Sequence, residues 1–383
     1  MILYLLLLVL SIAISLFDFT NINKVYKRIM LILFFGICII LSGIRWNLGT
    51  DWVLYHDFYV NNSTLSDFLG DIEDPGRLEP GYGLLNYIHM NIFNDYNMFM
   101  LLMALFTISI KVRWIIKYTK YPLIAGLVYF TTYIGDIFYI RQYIAIAITV
   151  FSFDYIVKRE SIKFICTVLL ASTIHTSALV FLLAYPLYNE IGLAKKFTLK
   201  NILIILTVVI AMDLSNASNY LLESFMDAFP ADIGKIVQKV HAYYLLQQQG
   251  ENFGANIDNA VRLGSAIFRR LLFVPVYLYA YKHLKEIDTT FGRKLRIVLM
   301  GYIVFFMFTS ISYDFAGRLS LYFSFFEILL IADVFKIKMS IFQRSVFALA
   351  VILYCAAKYV FMLNTFPELY IPFQTLFNDG FTI

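Results

Sequence analysis

Arginine is the residue type that this sequence places where it is hardest to explain. Arg45, Arg141, Arg269, Arg270 and Arg318 stand at or near the expected outer ends of apolar helices, in the contexts SGIRWNLG, DIFYIRQYIAIAI, GSAIFRRLLFVPV and SYDFAGRLSLYF. A charge held in lipid costs about 2.5–3.5 kcal/mol on insertion scales, so each calls for a polar cavity or a partner. Guanidinium groups grip phosphate oxygens in pairs and stay charged at any working pH. A set of them just inside an outer leaflet suits a pyrophosphate linked to a lipid. The competing reading is internal pairing, Arg318 with Asp314 or Arg141 with Asp136, at spacings close to a helical turn.

Proton transfer has one leading candidate. His175 sits between hydroxyl residues in ASTIHTSALVF, and an imidazole titrates near the working pH, which suits a general base. Its plainer role is a hydrogen bond to a helix end. His56, beside Asp57, competes with it, whereas His89, His241 and His283 lack a comparable setting. Two carboxylates join them: Asp51 in NLGTDWVLYHDFY, shortly after Gly49, and Glu79 directly before Pro80 in EPGYGLLNY. Each could cap a helix that starts beside it, or could hold sugar hydroxyls or orient a base at a cavity mouth. Spacing leaves both roles open. Trp46, Trp52 and Tyr55 are rings that could stack on sugars.

What must position these residues is a membrane-spanning bundle. Of the 383 residues, 60% are hydrophobic and only 15% charged, with a mean hydropathy of +0.73, whereas a soluble domain carries about a quarter charged residues. Runs such as MILYLLLLVLSIAISLF and IMLILFFGICIILSGI can cross most or all of a ~30 Å hydrocarbon core. The first run lacks a basic start and a small-residue cleavage site, so it is expected to be a retained helix rather than a signal peptide. The expected fold class is all-α, a polytopic transmembrane helix bundle forming a single integral membrane domain over residues 1–383.

Charge sets the orientation. Lys24, Lys27 and Arg28 belong on the cytoplasmic side, which puts the amino terminus outside. Helices are expected at about 29–44, 97–116, 122–138, 139–157, 201–217, 264–282, 295–312, 316–335 and 345–363, with 45–96 and 218–262 as the main external loops. Arg293, Lys294 and Arg296 fall in an inner loop on this reading. Residues 161–188 read as a hairpin turning around Ser172, Thr173 and His175, because Lys195, Lys196 and Lys200 must return inside. About ten to twelve crossings result.

Other chemistries find no support. The net charge of +5 is met by the inner loops, and no continuous basic stretch suggests nucleic acid. Cys38, Cys166 and Cys355 lie inside apolar runs without metal-like spacing, so neither a disulfide framework nor a metal site is expected. There is no Gly-rich phosphate loop, no nucleotide fingerprint and no Ser-His-Asp constellation, and no cofactor is expected.

In order along the chain, IRWNLGTDWVLYHDFY, EPGYGLLNYI, FYIRQYIAIAI, STIHTSALVF, AGRLSLYFSFFEILLIA and YIPFQ resemble the EpsG-like branch of the Wzy-type O-antigen polymerase family. The resemblance implies an enzyme of the bacterial inner membrane whose active site faces outward. It would transfer a growing glycan from undecaprenyl pyrophosphate to the non-reducing end of a lipid-linked repeat unit, without a metal, on a GT-C-like architecture with an outward-facing cavity. By position, the family's GTD falls on Gly49, Thr50 and Asp51, EPG on Glu79, Pro80 and Gly81, and RQ on Arg141 and Gln142. His175 matches the hairpin histidine and Arg318 the late arginine, while the segment around Arg269 and Arg270 matches less closely. Catalysis is thereby expected from His175, Asp51 and Glu79, and substrate binding from Arg45, Arg141, Gln142, Arg269, Arg270 and Arg318. The expected partners are the undecaprenyl-pyrophosphate-linked oligosaccharide, the bilayer and a Wzz-like chain-length co-polymerase.

Two other classes compete. A flippase for lipid-linked oligosaccharide would also need a cationic cavity, but alternating-access transporters often show paired half-repeats, and no repeat is visible here. A membrane acyltransferase would use His175 and leave the arginine set surplus.

Overall fold

The computed structural model describes residues 1–49, 51–61, 64–66, 78–138, 140–215, 217–228, 235–248, 259–365 and 367–379, and every repeating element among them is helical. They gather into two compact units, Met1–Leu179 with Ile331–Ile383, and Val180–Leu330. No linker or change of composition marks that division in the sequence.

The first unit begins with α1 (Ile2–Leu16) and α2 (Lys24–Ile44), then α3 (Trp52–Asn61), α4 (Pro80–Phe93), α5 (Tyr96–Tyr118), α6 (Pro122–Thr132), α7 (Arg141–Lys158) and α8 (Ser161–Ser172). At its centre lies α6, buried along nearly its whole length, with α1, α2 and the late helix Ile341–Thr365 packed around it. Its start is fixed from outside: Pro122 takes the first helical position, and the Asp18 carboxylate accepts from the N–H groups of Leu123 and Ile124 at 2.7 and 2.9 Å. Orphan donors at a buried helix start need such a partner.

The second unit carries α9 (Ala184–Asn189), α10 (Leu199–Leu214), α11 (Ala217–Ala228), α12 (Lys235–Gln248), α13 (Asn259–Leu271), α14 (Val274–Leu284), α15 (Thr289–Phe308) and α16 (Tyr313–Ser324). Its core is α15, packed against α9, α10, α14 and α16. The short α17 (Glu327–Val334) returns the chain to the first unit, and α18 (Ile341–Thr365) completes it.

The all-α polytopic architecture read from the apolar runs is what the structure has. Among the described residues, five helices are long and apolar enough to span alone, against the ten to twelve crossings expected. By length and composition these are Ile2–Phe19, Lys24–Ile44, Tyr96–Tyr118, Leu263–Leu284 and Ile341–Thr365, and the number rises to seven where each of two bent helix pairs is taken as one span. Short or broken runs account for the difference. The expected helix 122–138 stops at Thr132 and is followed by a single turn, Gly135–Phe138, because Asp136 is drawn inward to bond Lys111 and Tyr129. The long run 161–188, expected to turn as a hairpin around Ser172, Thr173 and His175, breaks after Ser172 and continues as a 3-10 stretch, Thr176–Leu183. The basic stretch assigned to an inner loop is instead helical. Asp288 accepts from the Thr290 N–H at 3.0 Å and starts α15 early, so Arg293, Lys294 and Arg296 lie in its first turns.

Candidate active site

Three segments far apart in sequence meet at one carboxylate, and a fourth joins them through Arg141. Glu79 occupies the N-cap position of α4, with Pro80 beginning the helix, yet its side chain makes no capping bond. It points away instead. One oxygen, Oε2, accepts from Arg141 Nη1 at 2.5 Å. The other, Oε1, accepts from both the backbone N–H and the hydroxyl of Thr176, at 3.1 and 3.0 Å. Of the roles that the sequence left open for Glu79, capping is therefore excluded in this conformation.

Arg141 is the first residue of α7, delivered there by the break that precedes it. The same guanidinium donates through Nε to the Tyr55 hydroxyl at 3.0 Å, and that hydroxyl lies 3.4 Å from Asp51 Oδ2. Tyr55 falls one helical turn after Asp51, which is why the two side chains meet. The rings of Tyr55 and Tyr82 stand 5.3 and 6.0 Å from the guanidinium carbon, and Tyr82 is fully buried beneath it. The internal partner anticipated for Arg141, Asp136, is committed elsewhere. Its carboxylate holds Lys111 and Tyr129 in the core.

Backbone approach explains the EPG sequence. The Gly81 N–H donates to the Thr173 carbonyl at 2.8 Å, and a Cβ at Gly81 would lie 2.3 Å from Thr173 Oγ1 and 2.8 Å from its carbonyl oxygen. Only glycine lets α4 start this close to the turn that carries His175. That histidine is half-buried, and its Nδ1 lies 2.6 Å from Ser177 Oγ. Gly49, in turn, adopts φ +97°, a left-handed conformation natural to glycine, and donates to the Leu369 carbonyl at 3.1 Å. Thr50 lies outside the described residues.

Electrostatics keep the centre charged. Burial alone would raise the pKa of Glu79, but Arg141, then His175 and the Thr176 N–H, outweigh it and hold the carboxyl below its ordinary value. The pair is reachable, with side-chain exposures of 17% for Arg141 and 16% for Glu79.

The structure thus brings together Asp51, Glu79, Arg141 and the turn of His175, with Gln142 adjacent and partly exposed. Arg45 does not join them. It is 1% exposed and donates to the carbonyls of Leu48 and Phe138, tying the loop after α2 to the break before Arg141. Its guanidinium supports the site rather than lining it. Arg269, Arg270 and Arg318 belong to the second unit. There Arg269 bonds the Ser265 carbonyl, Arg270 lies 3.2 Å over the Phe305 ring, and Arg318 is exposed on α16. Sequence reasoning missed Thr176 and Tyr82 altogether, and took Tyr55 only for a stacking ring. A tyrosine at i+4 from Asp51 was the available signal for a hydrogen-bonding role. Among the described residues no cluster of His, Cys, Asp and Glu could hold a metal ion.

The sequence profile of the EpsG family matches residues 28–375, nearly the whole chain and all of the segments above. No curated protein and no solved structure matches it.

Proposed function

The chain belongs to the EpsG family, and from that premise we propose that it is a polysaccharide polymerase, transferring a glycan from undecaprenyl pyrophosphate to the non-reducing end of a lipid-linked repeat unit. The observation that carries the proposal is the reachable Arg141–Glu79 pair, backed by tyrosines and joined to the His175 turn. We place it at the outer face of a bacterial plasma membrane from the charge distribution of the loops, and in a GT-C-like cavity from the resemblance to Wzy-type polymerases.

Chemistry at this site is glycosyl transfer by displacement. The acceptor hydroxyl attacks the anomeric carbon, the bond from that carbon to the pyrophosphate oxygen breaks, and the lipid pyrophosphate departs with the electron pair. Arg141 exchanges Glu79 for the phosphate oxygens, and its two-pronged geometry neutralises charge as it develops there. The Glu79 carboxylate so released faces the sugars. His175 takes the acceptor proton at Nε2 when its Nδ1–H donates to Ser177, a tautomer that the 2.6 Å contact accommodates. Such help is worth about 10²–10⁴-fold. Arg269, Arg270 and Arg318 are proposed to meet the rest of the carrier or glycan, and a chain-length regulator is the proposed protein partner.

Purified protein in proteoliposomes, given lipid-linked repeat units, tests this. The expected product is a ladder of lengthened glycans with one lipid pyrophosphate released per new linkage. His175→Ala should leave single repeats accumulating, whereas Asp51→Asn and Glu79→Gln report whether a carboxylate is the base instead. Movement of repeat units across the bilayer with no new linkage would overturn the proposal in favour of a flippase.

A further inference from the structure

The start of α3, where Asp51 and Tyr55 reach toward Arg141, also carries Trp52 and His56, and these build an aromatic ledge. His56 stacks flat on Trp52, with centroids 5.0 Å apart and planes 10° apart. Trp46 leans on both, 4.9 Å from Trp52 and 6.3 Å from His56. Tyr96 closes the back edge-on, 5.2 Å from His56. The ledge is fixed from below, since the Trp46 N–H donates to the Gln374 carbonyl at 3.0 Å. Trp52 and Tyr96 are buried, but Trp46 keeps open surface and the His56 side chain is 33% exposed. Polar groups rim it: Asp57, 64% exposed, lies 3.5 Å from His56 Nδ1, and Asn47 is exposed.

We propose that Trp46 and His56, with Asp57 at their edge, form a glycan subsite that holds a sugar ring of the lipid-linked chain beside the reacting end. A pyranose presents an apolar C–H face and an edge of hydroxyls, which match an open aromatic ring and a neighbouring carboxylate. A lipid chain would meet an exposed acid there. The inference rests on the polymerase reading for the identity of the glycan.

Tryptophan emission gives a test independent of activity. The chain has three tryptophans, and Trp52 and Trp114 are only 7% and 4% exposed, so iodide quenching of the full-length protein in nanodiscs reports on Trp46. The probe is oligosaccharide released by mild acid from the cell's own lipid-linked glycan. It should shield Trp46 from iodide in the wild type and in Trp114→Phe, and should not do so in His56→Ala. In steady state, Trp46→Ala should raise KM for the lipid-linked oligosaccharide about tenfold, with kcat held within about twofold. Trp46→Phe, which keeps a ring, should recover most of that loss. Absence of shielding, an unchanged KM in Trp46→Ala, or quenching of Trp46 by brominated lipid as in a membrane anchor, overturns the subsite while polymer formation leaves the functional reading standing. Shielding in a protein that forms no polymer does the reverse.

Discussion

Two ion pairs of the first unit involve the break between α6 and α7, one through Asp136 within it and one through Arg141 at its end, and they differ in exposure. Lys111 and Asp136 are sealed, with side-chain exposures of 0% and 4%. Tyr129 donates to the same carboxylate, and the Lys111 ammonium lies 4.9 Å from the Tyr143 ring. Arg141 and Glu79 sit a few residues further on, open at 17% and 16%. A sealed pair has no partner to exchange for. Taking two charges out of water costs several kcal/mol per ion, and only mutual attraction and further hydrogen bonds offset it. A reachable pair at a surface can trade one partner for another of the same sign. The first holds the broken segment in place; the second stands where that segment delivers it.

Breaking the sealed pair should have the largest effect. Lys111→Met leaves Asp136 uncompensated, a loss of about 3–5 kcal/mol, and the protein should fall in abundance and in thermal stability in detergent. The double variant Lys111→Met with Asp136→Leu should recover much of both, because a buried pair replaced by apolar residues is often neutral. A single variant as stable as wild type would show that the pair does not organise the break.

At the open pair the outcome reverses. Arg141→Ala should reduce polymer formation by about 10²–10³-fold while the protein stays inserted and abundant. Arg141→Lys should recover only part, since lysine keeps the charge and loses the fork. Loss of the protein from the membrane would make this pair structural as well.

Gly81→Ala tests the approach of α4 to the His175 turn. Its Cβ would lie 2.8 Å from a backbone oxygen, so the turn must shift, at a cost of about 1–3 kcal/mol. Activity should drop more than abundance. Gly36→Ala, with nothing within 4 Å of the added carbon, is the control and should be silent.

The smallest effect is expected from acid. Because the Glu79 pKa is lowered on folding, its stabilising contribution is fully present above the ordinary carboxylate range and is lost only as pH falls through the lowered value. The pair should therefore stay closed from pH 8 to about pH 5. A decline of rate within that window belongs to an imidazole and should vanish in His175→Ala. Persistence of the same profile in that variant would assign it elsewhere.

Much of this was legible in the sequence, and the limits have physical causes. The apolar runs marked the helices, and the Ser172–His175 stretch marked a break, because polar residues in a membrane run need a turn or a partner. Arg45 and Arg141 looked alike, each beginning a polar stretch at a helix end. What separates them is that Arg45 meets carbonyls three and 93 residues away, and Arg141 a carboxylate 62 residues away. Contacts of that range leave no periodicity to read. The early start of α15 was hidden for a different reason: the basic residues Arg293, Lys294 and Arg296 look the same in a loop and in a helix's first turns.

Exchanging the open pair's charges is the most direct test of the view that Arg141 serves the leaving pyrophosphate and that Glu79 holds it at rest. Arg141→Glu alone sets two acids together and should lower abundance. Combined with Glu79→Arg, it should restore the protein in the membrane and still give no polymer, because the guanidinium then projects from the start of α4 instead of α7. Polymer of normal length and yield from the exchanged protein would contradict the account, since it would show that the pair needs only opposite charges.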